Sequence, residues 1–327
     1  MSTLQKYILT RVLQIIPVLL AIVTIDFLII HLVPGDPAIL LAGPDASQQY
    51  LNSIRAQFGL NKPIYEQYFI YIYNLLQGNL GISVLSRRPV LDVVLERVEP
   101  TLLLMLTAWF VSLVLGIFLG TKAGLRKGSL LDQSLSVITL TMYSIPVFWL
   151  AVMLVSLFAL RLGIVPIAGM ENVANPGVGI GYGLDVASHM ILPITCMVTF
   201  YMPQFYQLTR VSVASTLEED FVRTLQATGL EKTSLYSRYI LKNASLPVIT
   251  LAGLWVGYAL TGAVLIEVVF DWPGLGILLF NSAISRDYPV LLGIFLVAAV
   301  MVVIVVLITD LIYIYFDPRM RYEKATT

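Results

Sequence analysis

The chain has 327 residues, of which 58% are apolar and 12% are charged, and its formal net charge is zero. The apolar share exceeds the roughly 45–50% of soluble domains, so the composition predicts a membrane protein and excludes an ordinary soluble one. Zero net charge without a cluster of surplus Lys and Arg predicts that nucleic acid is not a partner. Cys196 is the single cysteine, which excludes an intrachain disulfide.

The sequence also lacks the short motifs that carry catalytic chemistry. It contains no GxxxxGK[ST] phosphate loop, no HExxH and no CxxC, and His31 and His189 are its two histidines. The phosphate loop holds nucleotide phosphates, and spaced His or Cys residues hold zinc. We therefore predict no enzyme activity, no ATP hydrolysis, and no metal or cofactor bound by this chain.

Six apolar runs approach the roughly 20 residues that cross a bilayer. They cover residues 7–33, 102–120, 135–160, 190–208, 246–270 and 290–316. The first run lacks a small-residue cleavage site after a short apolar core, which indicates a retained span and not a signal peptide. Pro146, Pro193 and Pro203 lie within these runs and predict kinks. The expected fold class is an all-α membrane protein with six transmembrane helices.

Residues 34–99 follow the first span and are predicted to lie outside the membrane on the extracytoplasmic side. Pro34 and Pro37 stop a helix there, because proline lacks the amide donor. The pattern then predicts helices over 47–58 and 63–77. The second helix carries apolar and aromatic side chains three to four residues apart, at Tyr65, Tyr68, Phe69, Ile72 and Leu76. Local packing, a position at the membrane interface and a cap on the bundle all explain this face.

The distribution of Lys and Arg predicts the orientation. An even number of spans puts both termini on one side, and basic residues resist translocation. If both termini are cytoplasmic, thirteen of the 20 Lys and Arg residues lie inside, at positions 6, 11, 122, 126, 127, 210, 223, 232, 238, 242, 319, 321 and 324. We expect a multi-pass protein of the plasma or inner membrane, with the loop at about 211–245 in the cytoplasm. The Gly-rich outer loop 163–188 fits either a surface loop or a lid.

Two carboxylates lie inside predicted spans, Asp26 in the first and Asp310 in the sixth. A charge buried in a bilayer costs about 2.5–3.5 kcal/mol on insertion scales, so such residues face protein or water and are candidates for a transport pathway. Asp310 lies near the cytoplasmic end, where basic residues are available to pair with it. Asp26 is therefore the better candidate for a pathway residue.

Soft metal ligands collect in or beside the fourth span. They are His189, Met190, Cys196, Met197 and Met202. A soft-metal pathway would use such side chains, but methionine also fills gaps in apolar helices. Ordinary packing is the favoured interpretation.

The stretch EDFVRTLQATG at 219–229 is polar within an otherwise apolar chain. Four residues in and beside it share one face of a helix: Leu217, Phe221, Leu225 and Thr228. Three acidic residues occupy the first turn, where negative charge suits the helix dipole: Glu218, Glu219 and Asp220. Gly229 supplies a left-handed stop. The pattern predicts a short capped helix whose apolar ridge needs a groove, either on a partner protein or on the bilayer surface.

This stretch, together with KNASLP at 242–247, resembles the ATPase-docking loop of binding-protein-dependent ABC importers of the dipeptide/oligopeptide/nickel permease family. The resemblance runs through almost the whole chain in matching order and spacing. It includes VPGDP at 33–37, FGL at 58–60, GNLG at 78–81, SIPVFW at 144–149, EVVFDWPGLG at 267–276, RDYP at 286–289 and DPR at 317–319. The outer segment resembles that of the B-type permease and not of its C-type partner.

The resemblance implies a type I ABC permease core of five spans over 96–316, after an N-terminal transmembrane helix at 1–33 and an extracytoplasmic helical segment at 34–99. A cytoplasmic tail follows at 317–327. It further implies a pore shared with a second, C-type permease, two ATPase subunits that bind ATP and Mg, and an outer solute-binding protein, all in membrane lipid. The cargo would be a di- or oligopeptide, with an oligosaccharide or nickel as alternatives.

The resemblance places ATPase docking on a coupling helix. Its residues are Glu219, Asp220, Phe221, Arg223, Thr224, Leu225, Thr228 and Gly229. Leu225 is bulkier than the usual alanine of the family, and Thr228 stands where lysine is common. Two other functions stay open on the residues alone: a stand-alone ion-coupled secondary transporter or channel that uses Asp26 and Asp310, and a membrane scaffold.

Overall fold

The computed structural model describes residues 3–32, 35–43, 45–173, 177–231, 234–260 and 264–316, with side chains for all of these except 3–12, 237, 258–260 and 310–316. The predicted tail at 317–327, Val33, Pro34, Lys232 and the side chain of Asp310 lie outside this description. Within the described residues the fold is helical, and extended pairing is limited to one bridge between Ile82 and Pro89.

The first half of the chain forms four helices, then one long one. They are α1 (Thr3–Leu32), α2 (Pro37–Ala42), α3 (Gln48–Phe58), α4 (Ile64–Leu76) and α5 (Val90–Gly124). The predicted helices at 47–58 and 63–77 are confirmed as α3 and α4. Ser47 begins α3 because its hydroxyl accepts a hydrogen bond from the amide of Tyr50, and Gly59 ends it at a φ of 64°.

The second half contains the remaining spans. They are α6 (Leu130–Ser144), α7 (Val147–Leu154, continued by a π-helix at Val155–Arg161), α8 (Ile180–Leu217), α9 (Asp220–Ala227, followed by a π-helix at Leu235–Ile240), α10 (Leu241–Leu260), α11 (Val264–Val269), α12 (Leu275–Ser285) and α13 (Tyr288–Phe316). Five described helices are long and apolar enough to cross a membrane, or six if α6 and α7 count together as one span. The predicted all-α membrane fold is confirmed.

One predicted span needs correction. The run at 135–160 is bent by 92° between α6 and the Val147–Arg161 helix. Ile145 is extended there, with φ −78° and ψ 125°, because Pro146 disfavours a helical residue before it. Pro193 and Pro203 lie inside the unbroken α8. Of the run at 246–270, the structure describes α10 up to Leu260 and α11 from Val264, and residues 261–263 lie outside the description.

The residues divide into two compact units. One comprises 1–101, 260–268 and 273–304, and the other comprises 102–259, 269–272 and 305–327. These units do not test the predicted domain boundaries at 33, 99 and 316, which stay a prediction.

In the first unit, α1 to α4 pack around a small apolar core that includes Ile30, Leu41, Ile54 and Phe58. Asp36 caps α2 by accepting from the amide of Ala38 at 2.9 Å and from Arg55 at 2.6 Å. Both hydrogen bonds lower the pKa of Asp36 below its ordinary value, and the one from Arg55 has the larger effect. The VPGDP motif thus starts a helix with a carboxylate that stays ionised.

Asp287, in the RDYP motif, holds a distant loop of the same unit. Its buried carboxylate accepts from the Ser83 hydroxyl at 2.6 Å and from the amides of Val84 and Leu85 at 3.2 and 3.1 Å. Residues 83–85 follow GNLG in sequence, and Asp287 precedes α13. The two motifs are therefore parts of one hydrogen-bonded structure.

Glu267, in the EVVFDWPGLG motif, is fully buried. Its carboxylate accepts from the Thr101 hydroxyl at 2.9 Å and from the amides of Gly276 and Ile277 at 2.6 and 3.1 Å. Those amides belong to the first turn of α12, where intrahelical acceptors are missing. Glu267 thereby caps α12 from another helix, which explains why it does not occupy a lipid-facing position in the predicted fifth span.

In the second unit, three glycines let α5 approach α8 closely. Gly116, Gly120 and Gly124 lie four residues apart on one face of α5. A Cβ on Gly120 would lie 2.6 Å from the carbonyl of Tyr206, and one on Gly124 would lie 2.8 Å from the carbonyl of Arg210. Small residues at this spacing are how membrane helices bring their backbones together.

The Glu267 cap generates a stability prediction. A Cβ on Gly276 would lie 2.8 Å from Val264 Cα and 2.9 Å from Glu267 Oε2, so Gly276→Ala must displace backbone or the carboxylate. We expect a destabilisation of about 1–3 kcal/mol, as for overpacked cores, and a lower Tm of the detergent-solubilised chain. The matched control is Gly181→Ala in α8, where nothing lies within 4 Å and the Tm should hold or rise. Equal Tm values for the two variants would contradict the inference that close packing of Gly276 against Glu267 stabilises the fold.

Candidate functional site

The predicted cytoplasmic loop forms a compact structure within the second unit. α9 covers Asp220–Ala227, and Glu219 occupies its N-cap position with extended backbone. The helix ends at Thr228, after which Gly229 adopts a φ of 78° and the amide of Leu230 reaches the carbonyl of Leu225 at 3.4 Å. The predicted short helix and its glycine stop are therefore confirmed.

The apolar side of α9 faces its own chain. Val222 is fully buried against Val213, Leu235, Ile240 and Ala244. Phe221 and Leu225 are half-buried against the same cluster, which we name the loop core. The predicted ridge is corrected in part, because Leu217, at the end of α8, packs against the same cluster, whereas Thr228 is exposed beyond the last turn of α9.

Sequence reasoning missed Val222, the residue that anchors the helix. The signal was present, since apolar residues at 221, 222 and 225 define an arc of a helix centred between Val222 and Leu225. Extending the pattern outside the helix to 217 and 228 moved the predicted face away from this arc.

The opposite side of α9 is polar and open. It presents four exposed residues, Asp220, Arg223, Thr224 and Ala227. Arg223 and Asp220 are 4.0 Å apart, and their side chains are 75% and 100% exposed. Glu219, Thr228 and Gly229 are exposed at the two ends. This face offers charges and hydroxyls to a polar surface, so a partner that docks here need not supply a deep apolar groove.

One ion pair ties this loop to the segment between α5 and α6, and a second joins α6 to α8 within the same unit. Lys127, between α5 and α6, lies 2.7 Å from Glu218 and lowers the pKa of that exposed carboxyl. Asp132, at the start of α6, is buried and accepts from two nitrogens of Arg210 in α8, with the Nη2 contact at 2.9 Å. It also accepts from the amide of Gly128 at 2.9 Å. A displacement of α9 would therefore be passed to the ends of α5, α6 and α8.

A second feature of this unit is an open cleft of about 470 Å³ among α6, α8 and α10. Most of its lining is apolar, but it includes Ser136, Thr139, Gln204 and Gln207. Gln207 is exposed, and the amide nitrogen of Gln204 donates to the carbonyl of Phe200. Long polar side chains on membrane helices are costly toward lipid, so they indicate a protein-facing or water-facing surface.

Aromatic rings lie beside this cleft. Tyr143, which lines it, stacks on Phe200 with ring centroids 5.9 Å apart. Phe200 and Tyr201 both contact Trp255 edge-on, at 5.9 and 5.2 Å. These rings come from α6, α8 and α10, and they form an aromatic layer across the three helices.

Asp26 lies in the first unit. It is 2% exposed, and its Oδ2 has no hydrogen-bond partner within the described part of the chain. The cleft is lined by residues of α6, α8 and α10, to which α1 contributes none. A pathway role for Asp26 is untested and stays a prediction.

The soft ligands of α8 are packed side chains. Met190, Cys196, Met197 and Met202 are at most 6% exposed, and His189 Nδ1 lies 2.9 Å from the carbonyl of Asp185 in its own helix. Among the described residues there is no group of three or more His, Cys, Asp or Glu arranged to hold a metal ion. Their burial favours packing over a soft-metal pathway.

Comparison with known proteins identifies the family. Residues 112–322 match the binding-protein-dependent transport system inner membrane component. Residues 4–106 match the N-terminal part of binding-protein-dependent transport system membrane components. The chain belongs to this family. Family membership confirms a multi-pass inner-membrane protein, while the side on which the termini lie stays a prediction.

The relatives are permease proteins of nearly equal length. The chain is 36% identical over 341 residues to the dipeptide transport system permease protein DppB of Escherichia coli (strain K12), covering 98% of this chain and 99% of that protein. It is 35% identical over 318 residues to the glutathione transport system permease protein GsiC of Escherichia coli (strain K12), covering 97% and 99%. These relatives confirm the prediction of a permease subunit that is not itself an enzyme, and the stand-alone transporter and the scaffold are set aside.

A solved structure shows the same fold. The MetNI methionine ABC transporter in inward-facing conformations aligns with a TM-score of 0.55 at 14% sequence identity, covering 69% of this chain and 96% of that one. At this identity the likeness concerns the fold alone. It confirms the predicted type I ABC permease fold.

The burial of Val222 generates a prediction about the loop. Val222→Ala removes two methyl groups from a fully buried site, which costs about 1–3 kcal/mol locally. We expect faster amide hydrogen exchange in peptides covering 218–230. The control is Thr224→Ala on the exposed face, which should leave exchange unchanged. Equal exchange in the two variants would show that Val222 does not anchor α9.

Proposed function

We propose that this chain is the B-type permease subunit of an ABC importer for peptide-like solutes. It forms half of the pore with a second, C-type permease, receives solute from an outer binding protein and couples to two ATPases that bind ATP and Mg. The observation that carries the proposal is full-length similarity to dipeptide and glutathione permeases. Those two cargoes share peptide amides, which makes a di- or oligopeptide the favoured solute over an oligosaccharide or nickel.

The ATPases dock on α9 through its polar face. Arg223 and Thr224 are exposed at the centre of that face, while Val222 fixes the helix to the loop core. Glu219, Asp220, Thr228 and Gly229 form its rim. Phe221 and Leu225 contribute indirectly, by holding the helix in place. The loop and both termini are cytoplasmic in this arrangement, in agreement with the distribution of Lys and Arg.

The importer mechanism then follows from the connections of α9. ATP binding closes the ATPase pair, which displaces the docked helix as a rigid body. The Lys127–Glu218 and Asp132–Arg210 pairs pass that displacement to α5, α6 and α8. α6 and α8 line the cleft and carry three of the four aromatic rings, so their movement changes the width of the cleft.

The cleft among α6, α8 and α10 is this subunit's share of the translocation pathway. Gln204 and Gln207 can both donate to and accept from peptide groups without imposing a net charge. The aromatic layer of Tyr143, Phe200, Tyr201 and Trp255 adjoins the cleft and restricts passage beyond it. Asp26 is a secondary pathway candidate, since a buried carboxylate with an open oxygen suits a bound solute or proton.

Substitutions on the exposed face of α9 test whether the ATPases dock there. Arg223→Glu and Ala227→Trp alter exposed positions without touching Val222, so the permease should fold normally and lose tenfold or more of the ATPase that co-purifies with it; tenfold corresponds to about 1.4 kcal/mol. Arg161→Glu is the matched control, because it reverses the charge of an exposed side chain on the predicted outer side. Undiminished co-purification with both α9 variants would refute docking, and loss with Arg161→Glu alone would reverse the orientation.

Removing the cleft amides tests the pathway. Gln204→Leu and Gln207→Leu each delete one hydrogen-bonding group worth about 0.5–1.5 kcal/mol, so dipeptide uptake by the reconstituted importer should fall roughly two- to tenfold. ATPase co-purification should not change. Val137→Leu, at an exposed position of α6 outside the cleft lining, is the control.

Normal uptake by the Gln204→Leu, Gln207→Leu double variant would exclude this cleft from the pathway. Asp26→Asn is measured in the same assay. If this variant loses dipeptide uptake while the two glutamine variants keep it, the pathway runs along α1 and not through the cleft.

A further inference from the structure

Helix α4 (Ile64–Leu76) has one face that packs on α1. The Tyr68 hydroxyl lies 2.7 Å from that of Thr24, and Gln67 Oε1 lies 2.9 Å from His31 Nε2. The ring of Phe27 contacts Tyr68 edge-on, with centroids 5.2 Å apart. Two adjacent side chains of α4, Gln67 and Tyr68, are thus fixed to residues 24–31 of α1.

The contact with α1 sets the depth of α4. Leu13–Leu32 of α1 is by itself long and apolar enough to cross a membrane, since 20 residues of helix span about 30 Å, the thickness of the hydrocarbon core. Thr24 lies eight residues before Leu32, about 12 Å along the axis at 1.5 Å per residue. Helix α4 therefore contacts the C-terminal half of this candidate span, between Thr24 and His31.

The opposite face of α4 is aromatic, apolar and exposed. Its stripe consists of Tyr65, Phe69, Tyr73 and Leu76, which are 62%, 68%, 63% and 82% exposed. These residues are three or four positions apart and so share one side of the helix. The stripe contains no charged residue, and Glu66 lies off it, 3.4 Å from Lys62. Tyrosine on such a surface is typical of the boundary between hydrocarbon and headgroups.

We propose that α4 is embedded in the interfacial region of the leaflet that the C-terminal end of α1 enters, with the Tyr65–Phe69–Tyr73–Leu76 stripe against lipid. Lipid is the occupant because the contacts to Thr24, Phe27 and His31 hold α4 against the C-terminal half of a helix that is long and apolar enough to cross a membrane. The exposed Ile25, Leu28 and Leu32 of α1 continue the same kind of surface. This inference is independent of the solute and of ATPase docking, and it decides among the three explanations that the sequence left open for this face.

Site-directed spin labelling tests the proposal, helped by the fact that Cys196 is the single cysteine and is buried. In a Cys196→Ser background, with Cys196→Ala as a second background, a nitroxide is attached at Phe69→Cys or Tyr73→Cys. Both side chains are exposed, so their replacement leaves the packing of α4 on α1 intact. The control is Ala56→Cys, an exposed position of α3. The full-length permease is reconstituted in nanodiscs of phosphatidylethanolamine and phosphatidylglycerol.

The readout is collision of the nitroxide with oxygen, which partitions into lipid, and with a water-soluble nickel chelate. At positions 69 and 73 we expect an oxygen-to-nickel accessibility ratio at least threefold higher than at position 56. Ratios at 69 and 73 equal to that at 56 would overturn the proposal. Free access of the nickel chelate that is lost only when a solute-binding protein is added would overturn it too, because the stripe would then be a protein-docking surface.

Discussion

The constraint on which this structure depends is that backbone amides at helix starts must find acceptors where water is scarce. Two carboxylates supply them at helix starts, and two more accept from the amides of connecting loops. Asp36 caps α2, Asp132 accepts from Gly128 before α6, Glu267 caps α12, and Asp287 holds the amides of residues 84 and 85. Each lies where the chain leaves or re-enters a helix. Acidic residues are therefore used in this apolar protein mainly to organise its breaks.

This role explains why the family motifs read as they do. EVVFDWPGLG combines a buried acceptor with glycines that leave room for it, since a side chain on Gly276 would meet the Glu267 carboxylate. RDYP and GNLG flank a second such arrangement, joined by Asp287 and Ser83 over about 200 positions of sequence. Motifs that look like separate short patterns are thus halves of the same hydrogen-bonded structures.

Sequence reasoning recovered what depends on local periodicity and missed what depends on distant partners. The bounds of α3, α4 and α9 follow from caps and glycine stops within a few residues of each helix.

The break at Pro146 was predicted only as a kink. A proline in a helix predicts the loss of a backbone hydrogen bond, but it does not predict the 92° angle between the two helices. The capping role of Glu267 was missed, since the groups that donate to its carboxylate lie about ten residues away or on α5. The identity of the candidate docking helix was accessible from its pattern, but the direction of its apolar face required knowledge of Val213, Leu235 and Ile240.

If ATPases dock on α9 as proposed, the orientation of this helix decides which of its residues can distinguish one ATPase from another. Leu225 and Thr228 are the two positions where the resemblance predicts a departure from the usual pattern. Leu225 is half-buried against the loop core, so its larger side chain fills space within this chain. Thr228 is exposed, and its hydroxyl donates to the carbonyl of Leu225 at 2.8 Å, so that this carbonyl at the end of the helix has a hydrogen-bond donor. Unlike lysine, Thr228 places no positive charge there. If a partner distinguishes this permease from relatives with lysine at that position, it does so at Thr228, where a charge is absent, and not at Leu225.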